Sequence, residues 1–425
     1  MMMEEIMVEN TRNNTEFENL PQHLIHHIMN YVPYNDAVKF SVLSKTLLSM
    51  WLSFPVLDFD YTFFSGQHKD RHRTFLSFIL ETVHHRCPHR INKPLQRLRV
   101  NYPNHYLNSY FNTIFEVLLN FAIKNHAQEI IFDICTINWV NLRSDSLLSL
   151  FSSEFLTVLN LRRFRFLVAD SIILCPKLKE LVISSCKGAQ TITVSSPSVE
   201  KVEISFCRDL VYNNSKCSVD ISACLSLKKC SNLKEAIIEA PKLLKLKYQG
   251  SPQVHPMQIL ANKCSTASIK LPEREIDYDL WFDNLKQFLS CFDHFKNLTI
   301  SCFKVKDLII PVKFLKNNES LLRDAKHIKV KSLDFPQGQP VRRLVERLFR
   351  LVHKPLKFTF FLEGVRSTLK FEYENKAKKR KRVERRCCLG ISTKCWRHYA
   401  LKVNIQGVNE KERGRLDKLF FHYNL

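Results

Sequence analysis

Along much of the chain, three apolar positions recur in the spacing apolar-x-x-apolar-x-apolar: Leu95/Leu98/Val100, Ala127/Ile130/Phe132, Leu156/Leu159/Leu161, Phe295/Leu298/Ile300 and Ala325/Ile328/Val330. Side chains of an extended backbone alternate sides, so the last two apolar residues of each copy share a face and polar residues take the other. Three copies are sharper and carry a proline: Cys175-Pro176-Lys177-Leu178-x-x-Leu181-x-Ile183, Ser196-Pro197-Ser198-Val199-x-x-Val202-x-Ile204 and Ala240-Pro241-Lys242-Leu243-x-x-Leu246-x-Tyr248. The prolines fall 21 and then 44 residues apart. The longer gap is two periods of about 22, which predicts a degenerate repeat near Val219, with Val219-Asp220-Ile221 as its strand-like alternation.

This is the period of leucine-rich repeats. Each repeat supplies one short strand and too little surface to close a core, so neighbours must stack. The expected fold is α/β: a small N-terminal three-helix module, then a leucine-rich-repeat solenoid with a curved sheet and with helices and strands on its convex side. Tyr110–Lys124 is apolar at Phe111, Ile114, Phe115, Leu118, Leu119 and Ala122, the stripe of an amphipathic outer helix. A similar stripe runs through Trp281, Phe282, Leu285, Phe288, Leu289 and Phe292. Thr191-Ile192-Thr193-Val194 and Glu235-Ala236-Ile237-Ile238 alternate instead as second strands. Cys186 and Cys207, three residues past Ile183 and Ile204, fall where such repeats bury a small side chain, and Gly188 and Gly250 fall in repeat turns.

The N-terminus has a different period. Leu20, Leu24, Ile25, Ile28 and Val32 recur at helical spacing, with Pro21 fit for a first turn and Pro33 ending the helix. Asn35 is a candidate cap for a helix through Ala37, Val38 and Val42, and Ser44 for a third with Leu47, Leu48, Trp51 and Leu52. Three helices in so short a segment bury too little surface to be stable alone. Their apolar face needs a cover.

The string Leu20-Pro21-x-x-Leu24-Ile25-x-x-Ile28, then Pro33, Asp36-Ala37-Val38, Ser41-Val42-Leu43-Ser44-Lys45 and Trp51, resembles the F-box of plant F-box/leucine-rich-repeat proteins. The resemblance implies the substrate-recognition subunit of an SCF-type ubiquitin ligase, non-catalytic itself. It would bind the Skp-family adaptor, and through it cullin and RING subunits, with contacts from Leu20, Pro21, Ile25, Ile28, Pro33, Val42, Leu43 and Trp51. One departure stands out: the family usually follows Ser-Lys with Arg-Trp, where this chain has Thr46-Leu47, lacking a cation and a large aromatic.

The C-terminal quarter is less regular. Leu344, Val345, Leu348 and Leu351 alternate with arginines in a basic amphipathic helix; Phe358 to Phe361 and Leu369 to Tyr373 read as strands. Lys378, Lys379, Arg380, Lys381 and Arg382 form a compact cation run, a candidate for nuclear import. Residues 394–399 resemble a tail found in some plant F-box proteins and are expected to cap the array. Cys387, Cys388, Cys395 and His398 are close in sequence but lack the paired C-x-x-C spacing of a zinc knuckle, so neither metal nor cofactor is expected.

Composition adds charge. With 64 Lys+Arg against 41 Asp+Glu the formal net charge is +23, which favours an acidic protein target by steering. Nucleic acid is not expected, since no nucleic-acid fold motif accompanies the charge. No apolar run reaches the roughly 18 residues of a membrane span. The acidic start lacks a basic n-region and apolar h-region, and a nuclear or cytoplasmic protein is expected, its 14 cysteines reduced. His26-His27 and His84-His85 are expected at the surface. The expected organisation is a disordered 1–15, the F-box at 16–60, repeats at 61–335, and C-terminal repeats and cap at 336–425 with a basic loop at 376–386. A second reading keeps the charge and drops the ligase role: a basic repeat protein binding nucleic acid or an anionic ligand.

Overall fold

The computed structural model describes residues 20–65, 68–86, 94–103, 110–136, 139–167, 170–188, 191–194, 196–207, 224–228, 236–239, 243–252, 257–260, 264–274, 277–311, 314, 321–334, 344–345, 348–349, 351–352, 354–362, 365–373 and 400–421. The chain divides into two compact units, Met1–Ala189 and Gln190–Leu425.

The first unit opens with three short helices, α1 (Gln22–Met29), α2 (Tyr34–Phe40) and α3 (Lys45–Leu52). The Ser44 hydroxyl accepts from the Leu47 amide at 3.1 Å, capping α3 as its sequence predicts. The start of α2 differs from expectation: Pro33 takes the cap position, with no side-chain cap, and Asn35 lies inside the helix. Helix α1 ends at Met29, before Pro33, which instead opens the next helix with its fixed φ. After β1 (Val56–Asp60) come a 3-10 turn (Tyr61–Phe63) and α4 (His68–Arg86), then β2 (Arg97–Tyr102), α5 (Tyr110–Lys124), β3 (Glu129–Ile134), β4 (Val140–Leu142) and α6 (Ser144–Phe151). The unit closes with β5 (Val158–Arg162), β6 (Phe164–Phe166), β7 (Asp170–Ile173) and β8 (Glu180–Ser184).

Strands β1, β2, β3, β5 and β8 lie side by side and parallel. The register sets Leu57, Leu98, Ile130, Leu159 and Leu181 abreast, all buried. That row is the middle apolar position of the repeat. Behind it, Phe115 of α5 packs edge-on against Phe132 and Phe164. Helix α6 has no cap of its own; Glu116 of α5 accepts from the Arg143 amide and the Ser146 hydroxyl, both at 2.6 Å. A carboxylate at a helix N-terminus is favoured by the exposed N–H groups there.

The second short strands stack as well: β4 pairs in parallel with β6, and Arg165 bridges to Lys187 beyond. Gly188 makes that return possible, with φ at +92° and an added Cβ only 2.0 Å from the Phe166 carbonyl oxygen. Gly188→Ala is therefore expected to cost more than about 2 kcal/mol, read as a lower unfolding midpoint in urea; a midpoint equal to wild type would refute the close approach.

The second unit contains β9 (Thr191–Val194), β10 (Lys201–Ser205), β11 (Cys224–Lys228), β12 (Ala236–Glu239), β13 (Lys245–Gln249), β14 (Met257–Leu260), β15 (Thr266–Lys270), α7 (Tyr278–Ser290), β16 (Asn297–Lys304), β17 (His327–Asp334), β18 (Lys357–Leu362), β19 (Val365–Tyr373), β20 (Ala400–Gln406) and α8 (Glu410–Phe421). Strands β10, β11, β13, β15, β16, β17 and β18 run parallel; β18, β19 and β20 then turn antiparallel. Strands β12 and β14 pair separately, as second strands.

The degenerate repeat has a strand at Cys224–Lys228; Val219-Asp220-Ile221 lies outside the described residues. In the sharp repeats the strand begins four residues after the proline, Pro176 before Glu180 and Pro197 before Lys201. Adding that offset to the proline-equivalent position near 219–220 leads to a strand start at Cys224, with Leu225 and Leu227 buried behind it. A further repeat, at Thr266–Lys270, escapes the leucine pattern because Cys264 and Ala267 fill its apolar positions.

Helix α7 is capped by Asp277, whose side chain accepts from the Asp279 and Leu280 amides. Trp281 is buried and donates its indole N–H to the Asp307 carbonyl at 2.8 Å, so the polar edge of the ring is satisfied. Leu344, Val345, Leu348 and Leu351 are buried too.

His327 on β17 lies between Lys329 and Lys357, with Nε2 3.0 Å from the Thr359 hydroxyl. Burial, then Lys357, then Lys329 hold its pKa below the ordinary histidine value. A folded-state pKa below the unfolded one gives stability that is complete above the unfolded value and declines as pH falls through it. The melting temperature of the second unit is expected to drop from about pH 7.5 to about 5.5, and to drop less in His327→Asn. Equal drops in the two proteins would exclude this histidine as a source.

Candidate functional site

The apolar side chains of the N-terminal helices divide into a buried set, an exposed set and a half-buried set that includes Val38, Phe40 and Leu52. Ile25 (1% exposed), Met29, Ala37, Leu47 and Trp51 (6% exposed) face in, joined by Phe54 just after α3. Val42 (83% exposed) and Leu43 (65% exposed) project from the α2–α3 turn, and Ile28 (37% exposed), Leu24, Tyr31 and Leu48 are also at the surface. Pro21 and Pro33 are exposed and Leu20 half-buried. Of the eight residues that the sequence proposes for adaptor contact, six therefore reach solvent and two, Ile25 and Trp51, lie inside the module.

Three further apolar side chains, Leu24, Tyr31 and Leu48, are also exposed on the module. All three sit at helical spacing from predicted contacts, which was the available signal. The Leu47 position, where the usual family member has tryptophan, is filled by a buried leucine, and Thr46 is exposed.

A cation does enter the module, from a place no motif indicated. Arg86, the last residue of α4, is 1% exposed. Its two terminal nitrogens donate at 2.6 Å to the carbonyls of Trp51 and Phe54, and its guanidinium carbon lies 4.7 Å from the Trp51 ring centre. It thus satisfies carbonyls at the C-terminal end of α3, where a positive charge is favoured. Burial lowers the Arg86 pKa, partly offset by the nearby Tyr34. Burial in turn raises the Tyr34 phenol to about 12. His26, expected at the surface, is half-buried: its Nε2 sits 2.9 Å from the Met50 carbonyl oxygen and its ring packs edge-on against Phe54. His27, His84 and His85 are exposed.

The repeat cysteines have structural surroundings. Cys186 is buried, its thiol donates toward the Leu161 and Ser184 carbonyls at 3.4 Å, and burial pushes its pKa to about 12. Cys207 repeats the arrangement, donating to the Ser205 carbonyl. Burial disfavours the thiolate form of Cys186. Among the described residues no group of three or more His, Cys, Asp or Glu side chains is placed to hold a metal ion, and no helix is long and apolar enough to cross a membrane. The run Lys378 to Arg382, the cysteines 387, 388 and 395, His398, the tail 394–399 and the segment 1–15 lie outside the described residues.

A three-helix module with an uncovered apolar rim, followed by stacked strand repeats, is the architecture of a binding protein. Residues 17–59 match the family model of the F-box domain. An F-box/FBD/LRR-repeat protein of Arabidopsis thaliana is 27% identical over 310 residues, covering 66% of this chain and 64% of the relative. The match thus spans just under two thirds of that relative's length. Module, repeats and likeness agree: the chain carries an F-box domain and is similar over two thirds of its length to a plant F-box/leucine-rich-repeat protein.

Proposed function

We propose that the chain is the target-receiving subunit of an SCF-type ubiquitin ligase. Its F-box docks on a Skp-family adaptor, which connects to cullin and RING subunits, and its repeats hold a protein target. The observation that carries this reading is the sorting of apolar side chains in the module. Ile25, Leu47 and Trp51 close a small core, while Val42, Leu43 and Ile28 remain uncovered. Several exposed apolar side chains on one small module favour an interaction site.

In this reading the chain contributes position and no bond-making group. Holding the target beside a ubiquitin-charged enzyme turns a bimolecular encounter of lysine and thioester into a nearly intramolecular one. Modest affinity at each end is then sufficient. The test is co-purification of the full chain with a Skp-family adaptor and cullin from co-expressing cells, expected as a stoichiometric complex stable to gel filtration. Purified chain that leaves the adaptor unbound while retaining salt-sensitive binding of RNA or DNA would favour the basic-repeat reading instead.

A further inference from the structure

At its start the polar face of the second unit's sheet carries an ion pair, Lys228 with Glu203 at 2.6 Å, but from β13 onward its charge distribution is unlike that of the first unit. In the first unit the charges on this face are paired: Asp58 with Arg99 at 3.3 Å, Arg97 with Glu129 at 2.6 Å, and Asp133 with Arg162 at 2.7 Å. In the second unit, Leu246, Ala267, Leu298, Ile328 and Phe358 stand abreast in the core. The residues between them must therefore face the other way.

The strand register arranges those residues of β13, β15, β16, β17, β18 and β19 in three rows. The first row contains Lys245, Lys357 and Lys370, with His327 among them. The second contains Lys247 and Lys329. The third contains Lys270, Lys331 and Arg366. Between the cations stand Ser, Thr, Asn and Gln side chains and one aromatic ring, and no carboxylate occurs in any of the three rows. None of these eight cations is ion-paired among the described residues.

This arrangement has a cost. Lys357 and Lys370 are direct cross-strand partners on antiparallel strands, where like charges destabilise the pair. Lys329 and Lys357 also bear on His327, helping to keep its pKa low. A fold that needed only a solvated face could interleave carboxylates here, as the first unit does.

We propose that this lysine-rich face of the second unit is the target-docking surface, and that its occupant is an acidic protein segment in extended conformation. The proposal rests on the ligase reading and adds where the target binds and by what chemistry. Strand spacing makes the face about 24 Å across the strands, which an extended segment of about seven residues crosses. Glutamates and aspartates on such a segment meet lysine ammoniums, while Thr299, Ser301 and Ser268 supply hydroxyls for its backbone.

The same face is poorly suited to nucleic acid. Binding of single strands combines a basic groove with aromatic rings on which bases stack. The one phenyl ring in the three rows, Phe361, already has Lys331, Arg366 and Lys329 set around it at 5.6, 5.7 and 5.8 Å from its ring centre, and exposed Phe303 stands beyond the rows at the end of β16. Seven of the eight cations are lysines, point charges without the forked geometry with which arginine reads phosphate.

The test uses the full chain and two labelled probes of about ten units each, a peptide alternating glutamate and serine and a mixed-sequence single-stranded RNA. Fluorescence anisotropy is expected to show peptide binding that weakens with added salt and falls about tenfold or more in Lys247→Glu/Lys329→Glu/Lys331→Glu. Arg73→Glu/Lys124→Glu/Lys179→Glu changes net charge equally at exposed positions of the first unit, and is expected to leave peptide binding unchanged. Arg366→Glu/Lys370→Glu provides an independent lesion on the antiparallel strands, with the same expected loss. Circular dichroism and adaptor capture verify that each variant is folded. Adaptor capture with no peptide binding overturns the docking face alone. Peptide binding without adaptor capture by wild type overturns the ligase reading and leaves the face standing. Equal losses in the two triple variants, or RNA binding preferred over peptide and lost in the same variants, overturn the acidic-segment proposal.

Discussion

Val42→Asp/Leu43→Asp is expected to weaken capture of a Skp-family adaptor by about 100-fold or more while leaving the melting temperature of the chain unchanged. Both side chains are mostly solvent-exposed in the chain by itself. Neither contributes to its core. On a partner's surface each would bury apolar area worth about 1.5–3 kcal/mol, and the substituted carboxylates would add a desolvation cost. Together these exceed the roughly 2.8 kcal/mol that corresponds to a hundredfold change. Trp51→Ala gives the contrasting signature: the ring is inside, so the cost of about 3–5 kcal/mol falls on folding and binding is lost only with it. Titration calorimetry for affinity and thermal denaturation for stability separate the two. Wild-type affinity in the Val42/Leu43 variant would remove the exposed turn from the interface.

The second large effect belongs to Arg86. Arg86→Ala leaves the Trp51 and Phe54 carbonyls without their charged donor, exposes one face of the Trp51 ring to a cavity, and unties α4 from the end of α3. Each hydrogen bond to a charged group contributes about 1.5–3 kcal/mol, so local stability of the module is expected to fall by about 3 kcal/mol or more. Native-state hydrogen exchange would report it as faster exchange confined to α1–α3, with the repeat strands protected as before. Arg86→Lys should recover only part, because one ammonium cannot bridge two carbonyls and cover the ring. Exchange rates in α1–α3 unaffected by Arg86→Ala would mean that the module is held by its apolar contacts alone.

The Arg86 arrangement also bears on the Thr46-Leu47 departure. Leu47 is buried in the module and the chain places a cation there from α4. Read alone, the missing Arg-Trp pair suggests an underfilled module. Arg86 was invisible to that reading because it lies 35 residues from Trp51, at the end of a helix whose neighbours His84 and His85 are exposed.

Where the sequence pattern was regular, it located elements well. The spacing of Leu178, Leu181 and Ile183, and its copies at Val199 and Leu243, placed β8, β10 and β13, because a buried strand needs an apolar residue at every second position. It misled where one feature stood for another. A proline count placed the weak repeat near Val219 without indicating its strand at Cys224–Lys228, and small side chains at Cys264 and Ala267 hid β15 altogether. Packing tolerates such substitutions because neighbouring repeats, Leu246 on one side and Leu298 on the other, fill the same layer.

The amino-acid sequence determined the local repertoire of this protein: the short helices, the alternating strands, their period of about 22 residues, and the apolar string that resembles an F-box. Those properties depend on nearest-neighbour geometry and on burial of one face, which a linear pattern encodes directly. Tertiary structure alone decided which members of the string face out, how a distant arginine enters the helical module, and that lysines scattered from 245 to 370 share one face. These outcomes depend on strand register and on contacts between segments far apart in the chain, and a net charge of +23 does not say where its charges meet.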